Sequence, residues 1–135
     1  MTKKDLSFVL REHGIHPTQQ RIAVLEYLLA HRTHPTADTL YRALVQDFPT
    51  FSRTTVYNTA RALAKVGLIR IITIDADEQR FDAAMEQHGH FRCTDCGSIY
   101  DFPVSKQAVA SLSPSPYVAE TMEIYATGVC PHCQQ

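Results

Sequence analysis

The sequence predicts an α/β chain of the α+β type, in which a helical front part is followed by a smaller mixed part. The 135 residues suffice for one compact domain or two very small ones. Apolar residues recur at helical spacing through residue 65 and then change to strand-like patterns. Charge also divides the chain: residues 1–74 carry 10 Lys and Arg against 5 Asp and Glu, whereas residues 75–135 carry 3 against 9. Such asymmetry is typical of a front part that meets a polyanion and a back part that collects cations.

Composition excludes several classes of protein. No stretch approaches the roughly 18 apolar residues of a membrane span, and the first residues lead into no apolar signal-peptide core. We therefore expect a cytoplasmic protein that does not bind membranes. In that compartment four cysteines are metal ligands more often than disulfides.

Four helices are predicted in the front part, each with its own start and stop signals. The first and fourth begin at hydroxyl side chains that can cap them, Thr2 and Ser52. The second is expected to start at Thr18, and Pro35-Thr36 opens the third. The expected ends are Gly14, about His31, Pro49 and Gly67. The third helix shows the clearest apolar repeat, at spacings of three and four up to Phe48.

The fourth helix carries a polar face without an acidic residue. The spacings between its members are 3, 1, 3 and 4: Thr54, Tyr57, Asn58, Arg61 and Lys65. Amide and guanidinium groups suit the base edges of a DNA groove, and cations suit phosphates. Taken alone, the same pattern is equally typical of a solvated helix face.

A two-stranded ribbon is predicted after the fourth helix. Its strands are expected at 68–74 and 79–81, with a polar turn at 75–78 between them. Helix, turn, helix and ribbon follow one another in the order of a winged helix-turn-helix, with residues 48–51 as the turn. Together with the excess of cations, this order favours DNA binding by a domain at 1–82.

Two Cys-x-x-Cys knuckles lie in the acidic part, separated by 33 residues. Their members are Cys93, Cys96, Cys130 and Cys133. Each knuckle places two thiolates on one side of a tight turn, so two knuckles can complete a closed four-sulfur Zn²⁺ site. Such a site is structural because no position stays open, although a redox dithiol is the competing interpretation.

A second group of possible ligands is less regular. His88 and His90 lie two apart and share a face if their segment is a strand. Asp82, Asp101 and His34 also have simpler explanations, as a strand end, a surface charge and a helix-flanking residue. Spacing alone favours only the histidine pair as metal ligands.

These segments together resemble the ferric uptake regulator (Fur) family of metal-dependent repressors, and most closely its peroxide-sensing PerR branch. They occur in family order: His34-Pro35-Thr36-Ala37-Asp38, Thr54-Thr55-Val56-Tyr57-Asn58, Arg80-Phe81-Asp82, His88-Gly89-His90, Cys93-Thr94-Asp95-Cys96-Gly97, Asp101-Phe102 and Glu123-Ile124-Tyr125. The resemblance implies a homodimer with a winged-helix domain and an α+β dimerisation domain, here 83–135. It implies repression at a palindromic double-stranded operator.

The resemblance also implies two kinds of metal site. By this resemblance, the four cysteines bind structural Zn²⁺. A regulatory Fe²⁺ or Mn²⁺ site falls on two carboxylates and three histidines: His34, Asp82, His88, His90 and Asp101. In the PerR-like mechanism, peroxide reacts at bound Fe²⁺ and oxidises His34 or His88, so that the repressor releases DNA.

Several positions distinguish the branches. Asp101 is an aspartate as in PerR-like members, and Gln87 and Gly89 stand where iron-sensing members often have further ligands. The helix-two motif departs from the family because Gln19 replaces its proline before Arg21, the expected phosphate contact.

Three functional hypotheses follow from these residues. The first is a peroxide-responsive repressor, and the second is an iron- or other-metal-uptake regulator without peroxide sensing. The third is a small hydrolytic metalloenzyme that uses His88, His90 and a carboxylate. Against the enzyme stand the missing general base and the unexplained polar face of the fourth helix.

Overall fold

The predicted helix starts are confirmed. The computed structural model describes residues 2–75, 78–83 and 87–135. Its first four helices are α1 (Lys3–Glu12), α2 (Gln19–Ala30), α3 (Ala37–Leu44) and α4 (Arg53–Lys65). In each, the side-chain oxygen of the residue before the helix accepts a hydrogen bond from the backbone N–H three residues further on: Thr2, Thr18, Thr36 and Ser52. Local hydrogen bonding therefore sets where each helix begins.

The predicted end of α3 is wrong. The helix ends at Leu44, whereas the apolar repeat extends to Phe48. The backbone N–H groups of Asp47 and Phe48 both bond to the carbonyl of Leu44, which closes a turn. Pro49 disfavours helical backbone at Phe48, the residue before it, so the helix does not resume after this turn.

The chain divides into two units, Met1–Met85 and Glu86–Gln135. In the first unit all four helices contribute to one apolar core with the second strand. Fully buried members include Leu6, Leu10, Leu28, Leu40, Leu63 and Phe81. Because α4 buries Val56, Ala60 and Leu63 in this core, its polar residues lie on the opposite side of the helix.

The predicted ribbon is present but shorter. Its strands are β1 (Arg70–Ile72) and β2 (Arg80–Asp82), paired antiparallel with Ile71 opposite Phe81. The first strand covers only 70–72 of the predicted 68–74, and the N–H of Leu68 bonds instead to the carbonyl of Leu63 at the end of α4. The second strand lies at 80–82 rather than at 79–81. Two positions of the predicted turn, 76 and 77, lie outside the described residues. The order of a winged helix-turn-helix is confirmed.

The second unit is a three-stranded sheet with one short helix, as the predicted α+β fold requires. Its elements are β3 (His88–Cys93), β4 (Ile99–Pro103), α5 (Lys106–Leu112) and β5 (Tyr125–Gly128). The strand order is β4-β3-β5, with β3 antiparallel to β4 and parallel to β5. Within the part of the chain that the structure describes, every helix is too short or too polar to span a membrane.

Candidate metal centres and nucleic-acid face

The four cysteines form one cluster. Cys93 ends β3, and the parallel pairing of β3 with β5 places it opposite Gly128, two residues before Cys130. The four sulfur atoms all lie within 4.8 Å of one another, and no disulfide joins these residues, each of which the structure describes. A tetrahedral zinc with bonds of about 2.3 Å separates its sulfurs by about 3.8 Å. The 3.9 Å between the sulfurs of Cys96 and Cys130 fits that geometry.

Hydrogen bonds within the cluster favour thiolates at some positions and thiols at others. Backbone N–H groups of Cys96 and Cys130 point at the Cys93 sulfur and lower its pKa to about 6. Hydrogen bonds with Ser98 lower the pKa of Cys96. A hydrogen bond with the Cys130 sulfur instead raises the pKa of Cys133. Four sulfurs so close together repel one another when ionised, so the cluster suits a soft divalent cation.

In the first unit, the loop before α3 and strand β2 bring two buried polar side chains together. His34 is 4% exposed and Asp82 is 1% exposed. A ring nitrogen of His34 lies within 4.8 Å of a carboxylate oxygen of Asp82. Burial of a carboxylate beside an imidazole is costly in an apolar core and is typical of a metal or proton site.

The His34 loop is held on β2 by backbone contacts. Residue 36 forms an isolated antiparallel bridge with Arg80, and the N–H of Phe81 donates to the carbonyl of Pro35 at 2.9 Å. The Arg80 guanidinium donates to the carbonyl of His34 at 3.2 Å. His34 has a φ of 58°, a left-handed conformation that costs a non-glycine residue about 1 kcal/mol.

In the second unit, three further predicted ligands converge. His88 and His90 lie on the same side of β3, and Asp101 on β4 stands opposite His90. The Nε2 atoms of the two histidines are 3.0 Å apart, and they lie 3.5 and 3.4 Å from one oxygen of Asp101. Two imidazoles and one carboxylate aimed at one point form a set of N and O ligands that suits Fe²⁺ or Mn²⁺.

The other side of this sheet is aromatic. Phe91, Tyr100 and Phe102 line an apolar groove of about 750 Å³ with Ala126 and Val129. The groove reaches the second knuckle at Pro131 and His132. His132 is exposed and does not belong to the four-sulfur cluster. An aromatic face of this size on a small sheet is typical of a surface that another protein covers.

The polar face of α4 is exposed at four of its five positions: Thr54, Asn58, Arg61 and Lys65. Tyr57 is half-buried, and its hydroxyl donates to the side chain of Gln79 at 2.9 Å. The Arg61 guanidinium lies 5.7 Å from the centre of the Tyr57 ring. Arg21 is half-buried and donates to the carbonyl of His16 at 2.7 Å, so part of its guanidinium is already engaged.

Sequence reasoning missed the residues that hold these groups in place. Arg80 lies in a segment that the resemblance includes, yet only its contact with His34 reveals a role. Gln79 carries no pattern that links it to Tyr57, which lies 22 residues away. Both contacts depend on how β2 packs in the fold, so the spacing of residues along the sequence does not reveal them.

Comparison with known proteins identifies the family. The model of the ferric uptake regulator family matches residues 12–121. The peroxide-responsive repressor PerR of Staphylococcus aureus strain Mu50 is 38% identical over 130 residues, which cover 93% of this chain and 86% of that protein. The solved structure of Streptococcus pyogenes PerR, described as the basis of peroxide sensing, is 32% identical, covers 98% of this chain and 92% of that chain, and has a TM-score of 0.56.

A more distant relative supports the fold. The structure of the Helicobacter pylori ferric uptake regulator has a TM-score of 0.75 at 21% identity and covers 100% of this chain and 95% of its own. Its description reports three functional metal-binding sites in that protein. This chain therefore belongs to the ferric uptake regulator family of metal-responsive, DNA-binding regulators.

Proposed function

We propose that this chain is a metal-dependent transcriptional repressor that senses peroxide. The observation that carries the proposal is the convergence of His88, His90 and Asp101 in one unit, together with the buried pair of His34 and Asp82 in the other. Both groups offer the nitrogen and oxygen ligands that Fe²⁺ and Mn²⁺ accept. We propose that the regulatory ion takes its ligands from these residues and that its loss weakens DNA binding.

Structural zinc on the four cysteines is the second part of the proposal. The sulfur separation supports it, and so do the N–H groups that favour a thiolate at Cys93. Zinc at this position would tie the segment after β5 to the end of β3, so its binding energy would be part of the folding energy of the second unit. Metal analysis of freshly purified protein should find one tightly held zinc per chain and one ion that a chelator removes.

The DNA-binding part of the proposal rests on α4. Its exposed face offers an amide, a guanidinium and an ammonium group and carries no acid: Asn58, Arg61 and Lys65. We propose that this face enters the major groove and that Arg21 contacts the backbone. The aromatic face of the second unit would join two copies, so the homodimer would place two such helices about one helical turn, roughly 34 Å, apart on a palindrome. Because the target is chromosomal DNA, we propose a cytoplasmic site of action.

Peroxide sensing has its own chemical requirement. Bound Fe²⁺ would supply the electrons that start reduction of the peroxide. Overall, one imidazole C–H of His34 or His88 gains an oxygen atom, and the peroxide leaves as water. A ring altered in this way is a poorer ligand, so the ion and then the DNA would be released. Mn²⁺ would support DNA binding without this oxidation.

The decisive experiment treats the Fe²⁺-loaded and Mn²⁺-loaded dimer with micromolar hydrogen peroxide. We expect the Fe²⁺ form alone to gain one oxygen on a peptide that contains His34 or His88 and to release its operator. If the Fe²⁺ form keeps both its mass and its affinity for DNA, peroxide sensing is refuted. The chain would then be a regulator of iron or other metal uptake. Binding of DNA that does not depend on added metal would refute both interpretations.

A further inference from the structure

Strand β2 has two sides with different neighbours. Side chains alternate along a strand, so Arg80 and Asp82 lie on one side of β2 and Phe81 on the other. Gln79, just before the strand, contacts the same tyrosine as Phe81. The first pair contacts the His34 loop, and the second pair contacts Tyr57 on α4. These four residues therefore connect His34, a proposed metal ligand, with the polar face of α4, which is proposed to bind DNA. All of them lie within the first unit.

The contacts on the His34 side are tight. One antiparallel backbone bridge, which includes the bond from the Phe81 N–H to the Pro35 carbonyl, and one guanidinium hydrogen bond fix the loop to β2. Phe81 is fully buried, so the strand cannot slide along the core without disturbing it. A shift of the His34 backbone would therefore disturb its contacts with residues 80 and 81.

The contacts on the Tyr57 side are fewer. The Tyr57 ring meets Phe81 edge-on at 6.4 Å, and its hydroxyl donates to Gln79 at 2.9 Å. A cleft of about 290 Å³ lies beside this hydrogen bond, lined by Thr36, Tyr57 and Gln79 among others. Because water has room there, packing alone does not fix the phenol. The hydrogen bond to Gln79 does so.

We propose that Gln79 is a positioning residue that couples the His34 loop to the polar face of α4 through β2. An ion bound at His34 and Asp82 fixes the position of β2. Through its hydrogen bond, Gln79 then fixes the position of the Tyr57 phenol and of the adjoining Arg61 guanidinium. The inference rests on the proposed function, in which His34 binds the regulatory ion and α4 reads DNA.

The test measures how strongly metal and DNA binding depend on each other. The probe is a duplex selected from a random library by the Mn²⁺-loaded full-length dimer, and its affinity is measured by fluorescence anisotropy with Mn²⁺ and with chelator. By linkage, the same factor appears as the increase in Mn²⁺ affinity caused by the duplex. We expect Gln79→Ala to reduce this factor about threefold or more, while the Mn²⁺ affinity of the protein without DNA stays unchanged.

Three comparisons separate coupling from a simple DNA contact. Gln79→Glu keeps an oxygen that accepts from Tyr57, so it should weaken DNA binding equally with and without Mn²⁺ and preserve the factor. Tyr57→Phe removes the same hydrogen bond from its other end, so adding Gln79→Ala to it should lower the factor no further. Gln46→Ala changes an exposed glutamine in the turn after α3 and should have no effect.

The outcomes are distinguishable. If Gln79→Ala weakens DNA binding by the same factor in Mn²⁺ and in chelator, or changes neither, Gln79 does not couple the two sites and the inference is wrong. If the unaltered protein binds the duplex equally well without metal, the proposed function fails first and the inference fails with it.

Discussion

The substitution Gly89→Ala tests how β3, the strand that carries His88 and His90, is packed. Gly89 lies between His88 and His90 and opposite Phe102 on β4. A Cβ atom at position 89 would lie 2.1 Å from Cζ of the Phe102 ring and 2.4 Å from Cε2. Gly128 is a matched control, because a Cβ there would lie 3.2 Å from Cζ of Phe91. The two positions carry the same substitution on one sheet and differ in the space available.

The expected magnitude follows from these distances. Two carbon atoms in contact lie about 3.5 Å apart, so the Phe102 ring must retreat by about 1.4 Å for Gly89→Ala but the Phe91 ring by only about 0.3 Å for Gly128→Ala. Overpacking of the first kind costs about 1–3 kcal/mol. The smaller displacement is offset by the gain of about 0.4–1 kcal/mol from a less flexible unfolded chain. We therefore expect Gly89→Ala to be about 2 kcal/mol less stable than Gly128→Ala.

The assay is urea unfolding of the zinc-loaded protein, followed by circular dichroism. With a slope near 2 kcal/mol per molar urea, the midpoint of Gly89→Ala should lie about 1 M below that of Gly128→Ala. Replacing the ring by Phe102→Leu should recover part of the loss in the double variant, because the two changes share one contact. Equal midpoints for the two glycine variants would refute the argument that the ring excludes a side chain at position 89.

Three further predictions concern the proposed sites. Cys96→Ser should lose the zinc and dissociate the dimer, because structural zinc contributes on the order of 10 kcal/mol to folding. Cys96→His should retain part of the metal, because it leaves three sulfur ligands and one imidazole. Elemental analysis would measure the zinc and light scattering the dimer. Arg61→Ala should weaken operator binding by about 1–3 kcal/mol and relax the sequence preference at one base pair. Affinities for single-base operator variants would measure this change. A uniform loss of affinity across all sequences would instead show that Arg61 contacts a phosphate. His34→Ala should lower Mn²⁺ affinity at least about tenfold in an equilibrium titration while leaving zinc content unchanged, and unaltered Mn²⁺ affinity would remove His34 from the ligand set.

Local chemistry made the helix starts predictable. Thr2 and Ser52 cap their helices through hydrogen bonds to residues only three positions away, so the sequence contains the whole interaction. The end of α3 was predicted wrongly because apolar spacing looks the same in a helix and in the turn that follows Leu44. Pro49 restricts the backbone only at Phe48, so the earlier end at Leu44 depends on the turn that the Leu44 carbonyl closes.

The candidate site was predictable to a different degree. Cys93 and Cys130 share a motif whose spacing already indicates a metal, and the structure brings their knuckles together. Spacing indicated only the histidine pair of the second group, and the resemblance supplied Asp101, which β4 places within 3.5 Å of both rings. No local pattern reveals that Gln79 meets Tyr57, because that contact depends on the packing of β2.

The left-handed backbone of His34 has a consequence for which residues the position tolerates. Asparagine, aspartate and glycine accept such dihedral angles with little cost, whereas β-branched residues do not. In a saturation library of this codon, selection for folded protein and selection for repression should therefore diverge. Glycine, asparagine and aspartate would survive the first screen, valine and isoleucine would be depleted in both, and histidine would be enriched only in the second.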